Sequence, residues 1–183
     1  MIIAQKLKQQ NIIEYLLYMW QIEDLIRAND FDLDKIQKNV IDKFDVPDDT
    51  KQAMRIWYDN LIALMENDGV KERGHIQVLA NIVYELTDLH LKLMRSPFHQ
   101  DYQKAFEEAM PYLNEYLAKV PQNERDKSLI ELALEAMYGK WVLRLQGKQI
   151  SEQTDFALNK ISNFLAILAK KYYDMMHDEN FTI

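Results

Sequence analysis

The chain has 183 residues, with 22 basic against 29 acidic side chains, a formal net charge of −7 at pH 7, and no cysteine. Hydrophobic residues make up 48% of it and charged residues 28%, proportions that fit a folded domain and argue against disorder. Such a length buries a real core without staples, the acidic balance repels phosphate backbones and argues against a nucleic-acid partner, and the missing thiols exclude disulfides, thiolate metal sites and a cysteine nucleophile.

Only four glycines and four prolines occur, where average usage would give roughly twenty or more. Most fall where a helix starts or stops, and no strand-type alternation is present. The pattern predicts an all-α, single-domain antiparallel bundle of about seven helices over residues 1–183, with a tail that frays from His177.

The first helix spans about Ala4 to Asn29, and its second half, Ile12 to Ile26, is apolar nearly all round, the mark of a central helix. The second runs from Leu33 to Phe44, capped by Asp32, with Ile36, Val40 and Phe44 on one stripe. The third, Asp49 to Asn67, opens with Asp49 and Gln52 at capping-box spacing. Ala53, Trp57, Leu61 and Leu64 form its inner face, and Gly69 stops it in the left-handed conformation. The fourth, Gly74 to Arg95, turns Ile76, Leu79, Val83, Leu86, His90 and Leu93 inward. The fifth, Gln100 to Lys119, carries Ala105, Phe106, Ala109, Leu113 and Leu117, with a kink or break expected at Pro111. The sixth, Glu124 to Gln146, has the stripe Ile130, Leu134, Met137, Trp141 and Leu145. The seventh starts after Ser151 and buries Phe156, Ile161, Phe164, Leu165, Leu168 and Tyr172.

No segment reads as an export signal or a membrane span. Glu14 and Glu23 bracket the uncharged run Tyr15–Ile22, well short of the ~20 apolar residues a crossing needs, and Ser162 and Asn163 interrupt Ile161–Ala169. No membrane association and a cytoplasmic location are the expectation.

Function is sought where polarity breaks the apolar pattern. On the first helix Glu14, Glu23, Asp24 and Arg27 interrupt an otherwise buried segment. Glu23 and Arg27 are four residues apart and able to pair on one face, and Tyr15 and Tyr18 add hydroxyls. The plain interpretation is a structural ion pair with solvated edges. The sharper one is a polar pocket in which Arg27 holds an anion. On the fourth helix Asp88 and His90 interrupt the run Leu86–Leu93, and a histidine on an apolar face is more often a hydrogen-bonded core residue than a ligand. On the sixth, Arg144 lies within an apolar stretch and is expected to pair across the bundle with Glu23 or Asp88, while Gly139 lets another helix approach. Tyr18, Glu23, Arg27, Asp88, His90 and Arg144 are therefore the candidate ligand-binding residues.

Metal binding and catalysis find no complete set. Glu72-Arg73-Gly74-His75 has E-x-x-H spacing, but a di-iron bundle requires two such strings and two further glutamates. His75 and His90 on one straight helix are about 22 Å apart. The dispersed glycines make no phosphate loop, and no cofactor is expected.

The segment Glu14-Tyr15-Leu16-Leu17-Tyr18-Met19-Trp20-Gln21-Ile22-Glu23-Asp24-Leu25-Ile26-Arg27-Ala28 resembles the start of the uncharacterised bacterial family called domain of unknown function 4924. Gly74-His75-Ile76-Gln77, Leu86-Thr87-Asp88-Leu89-His90, Tyr138-Gly139 and Leu143-Arg144-Leu145-Gln146 are similar to the same family. The resemblance spans nearly the whole chain and departs around Phe98–Leu117 and in the tail. It implies a bacterial, cytoplasmic, helical protein and carries no activity, cofactor or catalytic residue.

Two functions compete. The first is a non-enzymatic helical protein acting through contacts with a protein partner or a second copy of itself, suggested by nine methionines and many aromatic residues. The second is a binding protein or enzyme for a small anionic molecule, with Glu23, Arg27, His90 and Arg144 lining a pocket between helices one, four and six.

Overall fold

Asn11 divides what the periodicity predicts as one long N-terminal helix. In the computed structural model, which describes residues 2–122 and 125–183, α1 covers Ile2–Gln10 and α2 covers Ile12–Ala28. The Asn11 side chain accepts a hydrogen bond from the Ile13 N–H at 3.1 Å, capping α2 in the manner of a helix start. All regular structure among the described residues is helical, and it comprises eight α-helices and one 3₁₀ turn. The residues group into two compact units. The first holds residues up to Gln10 with Glu14–Asn81, and the second holds Asn11–Ile13 with Ile82–Ile183.

In the first unit α2 buries Leu16, Met19, Trp20, Ile22 and Ile26. It ends with Asp30 and Phe31 both at positive φ (57° and 60°). The Phe31 N–H reaches back to the Ile26 carbonyl at 3.1 Å and the Asp30 N–H to that of Arg27 at 3.0 Å, so carbonyls at the helix end gain partners. The Asp32 carboxylate then accepts from the N–H groups of Asp34 and Lys35 (2.9 and 3.1 Å) and opens α3, Leu33–Asn39, as predicted. The helix does not continue to Phe44. It gives way to the 3₁₀ turn Ile41–Lys43, and Phe44 is exposed.

Helix α4 covers Asp48–Asn67 with Pro47 at its cap and no side-chain cap bond. The expected capping box is absent because Asp49 turns to the adjacent Thr50 N–H at 2.7 Å. Its buried face is Met54, Tyr58, Leu61, Ile62 and Met65, whereas Ala53 and Leu64 are exposed. Two apolar series run along this helix one residue apart, and periodicity does not choose between sectors 100° apart. Gly69, at φ 70°, stops α4 as expected.

In the second unit α5 (Gln77–Arg95, from Ile82 onward) leads by a short turn into α6 (Gln100–Lys119). Asp101 pairs with Lys171 at 3.0 Å and Glu108 with Lys160 at 2.7 Å. Numbers rise along α6 as they fall along α8 (Glu152–His177), so these helices are antiparallel. Helix α6 passes Pro111 without interruption. Arg125 donates to the carbonyls of Val120 (2.9 Å) and Ala118 (3.2 Å), placing a cation at the negative end of α6.

The predicted start of the sixth helix at Glu124 lies outside the described residues; α7 covers Leu129–Leu145, with the Ser128 hydroxyl accepting from the Glu131 N–H. Its first half is buried nearly all round, through Ile130, Leu132, Ala133, Leu134 and Ala136. Trp141 and Leu145, expected inside, are exposed. Helix α8 is capped by Ser151, as predicted, and buries Ile161, Phe164, Leu165 and Leu168. Phe156 lies outside, with the Lys160 ammonium 5.7 Å from its ring centre. The segment after α8, expected to fray, lays Phe181 against the His99 ring at 5.3 Å, and the Thr182 carbonyl accepts from His99 Nε2 at 2.9 Å. No described helix is long and apolar enough to cross a membrane.

Candidate functional site

Of the charges on α2, Glu23 alone is buried, with 0% of its surface exposed; Glu14 and Asp24 are exposed. A carboxylate removed from water needs donors. Glu23 receives them from the segment just before α5. His75 Nδ1 lies 2.5 Å from one oxygen, and the Ile76 N–H donates to the other at 2.9 Å. The His75 ring lies flat on Trp20, with centroids 4.1 Å apart and planes 8° from parallel. The carboxylate thus fixes which way the His75 ring faces, with Nδ1 turned inward to Glu23 and Nε2 on the opposite side of the ring. His75 itself is part-exposed, so a buried carboxylate orients an imidazole that solvent reaches.

Arg27, one turn further along α2, does not pair with Glu23 as its spacing predicts. It forms an ion pair with Asp24 at 2.9 Å and donates to the backbone carbonyls of Val70 (2.9 Å), Lys71 (3.2 Å) and Gly74. The planar fork of a guanidinium suits several converging acceptors. Arg27 thus shapes the α4–α5 loop, its guanidinium bonded to Asp24 and loop carbonyls in place of the expected Glu23. The loop is closed at its base by Asp68, which accepts from the Gln77 N–H at 2.7 Å. Burial raises the pKa of Tyr18, and Tyr58, near Tyr18, is pushed up to about 12 by burial first and by Tyr18 second. Tyr15 is raised by burial and then by the negative charge of Glu23.

Glu23, Arg27 and Tyr18 belong to the first unit, and Asp88, His90 and Arg144 to the second. The three in the second unit are not brought together. Asp88 is exposed and pairs with Lys92 at 2.7 Å along its own helix. His90 is buried among Tyr102, Phe106 and Phe164, with Nδ1 2.7 Å from the Tyr102 hydroxyl. Desolvation lowers its pKa and raises that of Tyr102. Arg144 is 64% exposed and pairs weakly with Asp155 at 3.6 Å, correcting the expected bond to Glu23 or Asp88.

The buried cation of this region is Lys140, which the apolar spacing did not flag. It reaches Asp155 at 2.8 Å and Asn159 at 3.1 Å. Beside it, at the α7–α8 turn, Arg144, Lys148, Glu152, Asp155 and Phe156 contribute to the lining of a cleft of about 500 Å³. Its walls carry both signs of charge. A β-carbon added at Gly139 meets nothing within 4 Å, so no other element approaches closely there. Among the described residues no group of three or more His, Asp or Glu side chains is arranged to hold a metal ion.

The outer face of α5 is the other feature. Tyr84 is 70% exposed, Leu91 48%, and Phe98, just past the helix end, 69%. Tyr84 and Leu91 are seven residues apart on α5, a spacing that returns nearly to the same side of a helix, and Phe98 lies in the turn that follows. Asp88 and Arg95, both exposed, fall on the adjoining row.

The model of one protein family, described as "Domain of unknown function (DUF4924)", matches residues 1–179. No curated protein and no solved structure matches the chain. The chain belongs to this family.

Proposed function

We propose that this member of a family of unknown function acts through contacts with protein, and that the outer face of α5 makes those contacts. The observation that carries this reading is the exposure of Tyr84 and Leu91 on one side of α5, with exposed Phe98 in the turn just past its end. Large apolar side chains scattered singly are ordinary, but a row of them with charges alongside suits an interface. Glu23, Arg27, Asp88, His90 and Arg144, by contrast, each already have a partner within their own unit. The reading places the protein in a bacterial cytoplasm, in keeping with its family resemblance and its lack of thiols.

A photo-crosslinking amino acid at position 91, with one at exposed Gln52 as control, tests the proposal in the native cell. Protein adducts are expected from position 91 and not from 52. Absence of any adduct from position 91 would sink it.

A second reading, binding of a small anion or acid–base chemistry at His75, is favoured by one observation. Glu23 is buried and aimed at Nδ1 of a part-exposed, Trp20-stacked imidazole, a carboxylate–histidine arrangement that fixes the orientation of the ring. Thermal-shift screening against small anions and divalent metals, with His75→Ala alongside, separates the two: a shift that His75→Ala abolishes favours the second.

A further inference from the structure

The order of charge along the exposed face of α5 is polarised. Glu85 and Asp88 precede Leu91, and Lys92 and Arg95 follow it; all five are exposed. Tyr84 lies seven residues before Leu91 and Phe98 seven after it. A two-fold axis through Leu91, perpendicular to the helix, brings Asp88 of one copy to within one residue's rise of Arg95 of the other, on the same side of the contact. Leu91 meets Leu91, Asp88 meets Arg95 twice over, and Tyr84 of one copy faces the end of the other's α5, where the turn carrying Phe98 begins.

A parallel arrangement in register would instead set like charge against like. An unrelated partner would not require the two halves of one helix to complement each other about their own midpoint. An isologous interface does require it, because the same patch supplies both sides.

We propose that the α5 face is a self-complementary dimer surface, on which two copies of this chain pair with their α5 helices antiparallel about Leu91. The proposal rests on the reading that the chain acts through protein contacts, and it names the partner. Two rows contribute. Tyr84, Leu91 and Phe98 supply the apolar area. Asp88 and Arg95 fix the direction, since antiparallel pairing joins opposite charges and the reverse brings like charges together. The Asp88–Lys92 pair within each copy, with side chains more than half exposed, is weak enough to rearrange on contact.

A charge-swap pair tests this on the full chain by light scattering and sedimentation across a concentration series. Wild type is expected to dimerise. Asp88→Arg sets arginine against Arg95, and Arg95→Asp sets aspartate against Asp88. Each alone is expected to raise the dimer dissociation constant by about tenfold or more. An equimolar mixture of the two restores opposite charges at both contacts and is expected to recover a mixed dimer. Leu91→Asp, at a side chain already half in solvent, gives a second route to a monomer, with circular dichroism verifying that each variant stays helical. A wild-type chain that is monomeric at every concentration overturns the proposal, as does a dimer indifferent to all three substitutions. Crosslinks from position 91 to a different protein, alongside a monomeric wild type, would overturn self-pairing and leave the broader reading standing.

Discussion

Glu23 and His75 are 52 residues apart in the chain and 2.5 Å apart in space. The carboxylate's second oxygen holds the neighbouring Ile76 N–H, so a single buried side chain orients the imidazole and secures the entry to α5. Removing it leaves donors without an acceptor, and breaking a buried pair typically costs about 3–5 kcal/mol. Glu23→Ala is expected to lower unfolding stability by about 3 kcal/mol, at the lower end because His75 is part-exposed. In a double-mutant cycle with His75→Ala, a coupling of about 1 kcal/mol or more is expected. Urea titration measures both, and strict additivity would show that the contact contributes nothing.

Arg27 calls for a different comparison. Its bonds run to carbonyls from several directions, a geometry that the single ammonium of lysine does not reproduce. Arg27→Lys is expected to lose most of what Arg27→Ala loses, about 2–3 kcal/mol at the usual worth of charged hydrogen bonds. Hydrogen exchange of the amides from Lys71 to Ile76 should accelerate in both variants. Full protection in Arg27→Lys would mean that charge, and not the fork, holds the loop.

His90 makes stability depend on pH. Burial lowers its pKa in the folded chain below the ordinary value of 6.5, so below that pH the unfolded chain binds more protons. Stability from this group is complete above about pH 6.5 and falls as pH drops through the depressed folded value. The unfolding midpoint of wild type should therefore decline on acidification from neutrality more steeply than that of His90→Gln. Parallel pH profiles would exclude His90 as the source.

Gly139 lies inside α7 with open space where a β-carbon would stand, and no positive φ is recorded for it. Gly139→Ala should stabilise the protein by about 0.5–1 kcal/mol through helix propensity, read as a rise in unfolding midpoint. A destabilised variant would point to a neighbour packed against that position.

Lys140 and Asp155 give a paired test. Lys140 is buried against Asp155 and Asn159, and apolar replacement of a buried ion pair member is tolerated when its partner can reach water. Asp155 is part-exposed, so Lys140→Met should be neutral or stabilising, whereas Asp155→Ala takes a partner from the buried ammonium and should lower the unfolding midpoint. Equal effects of both on thermal unfolding would contradict this.

The helices themselves were legible because apolar spacing, Asp32, Ser151 and Gly69 all act locally. Which face of a helix turns inward was less so. On α4 the buried set begins at Met54, one position from the predicted Ala53, because adjacent apolar series look alike until a neighbour selects one. Glu23 stood out by being charged within an apolar run. Its partner did not, because nothing near His75 in the chain signals a carboxylate 52 residues away. The local rule of four-residue spacing favoured Arg27 instead, and the loop's carbonyls outcompeted Glu23 for that guanidinium. Lys140 was missed for a related reason: its four-carbon stem lets it lie in an apolar row while its head finds Asp155.

Because Arg27 grips main-chain oxygens at Val70, Lys71 and Gly74, its hold on the α4–α5 connection does not depend on the side chains at positions 71 to 73. Lys71, Glu72 and Arg73 are exposed, and Gly74, at φ 86°, carries the conformational demand for the stretch. Position 72 is thus a natural handle: a cysteine introduced there, in a chain that has none, gives one labelling point for a fluorophore or spin probe beside the Glu23–His75 contact.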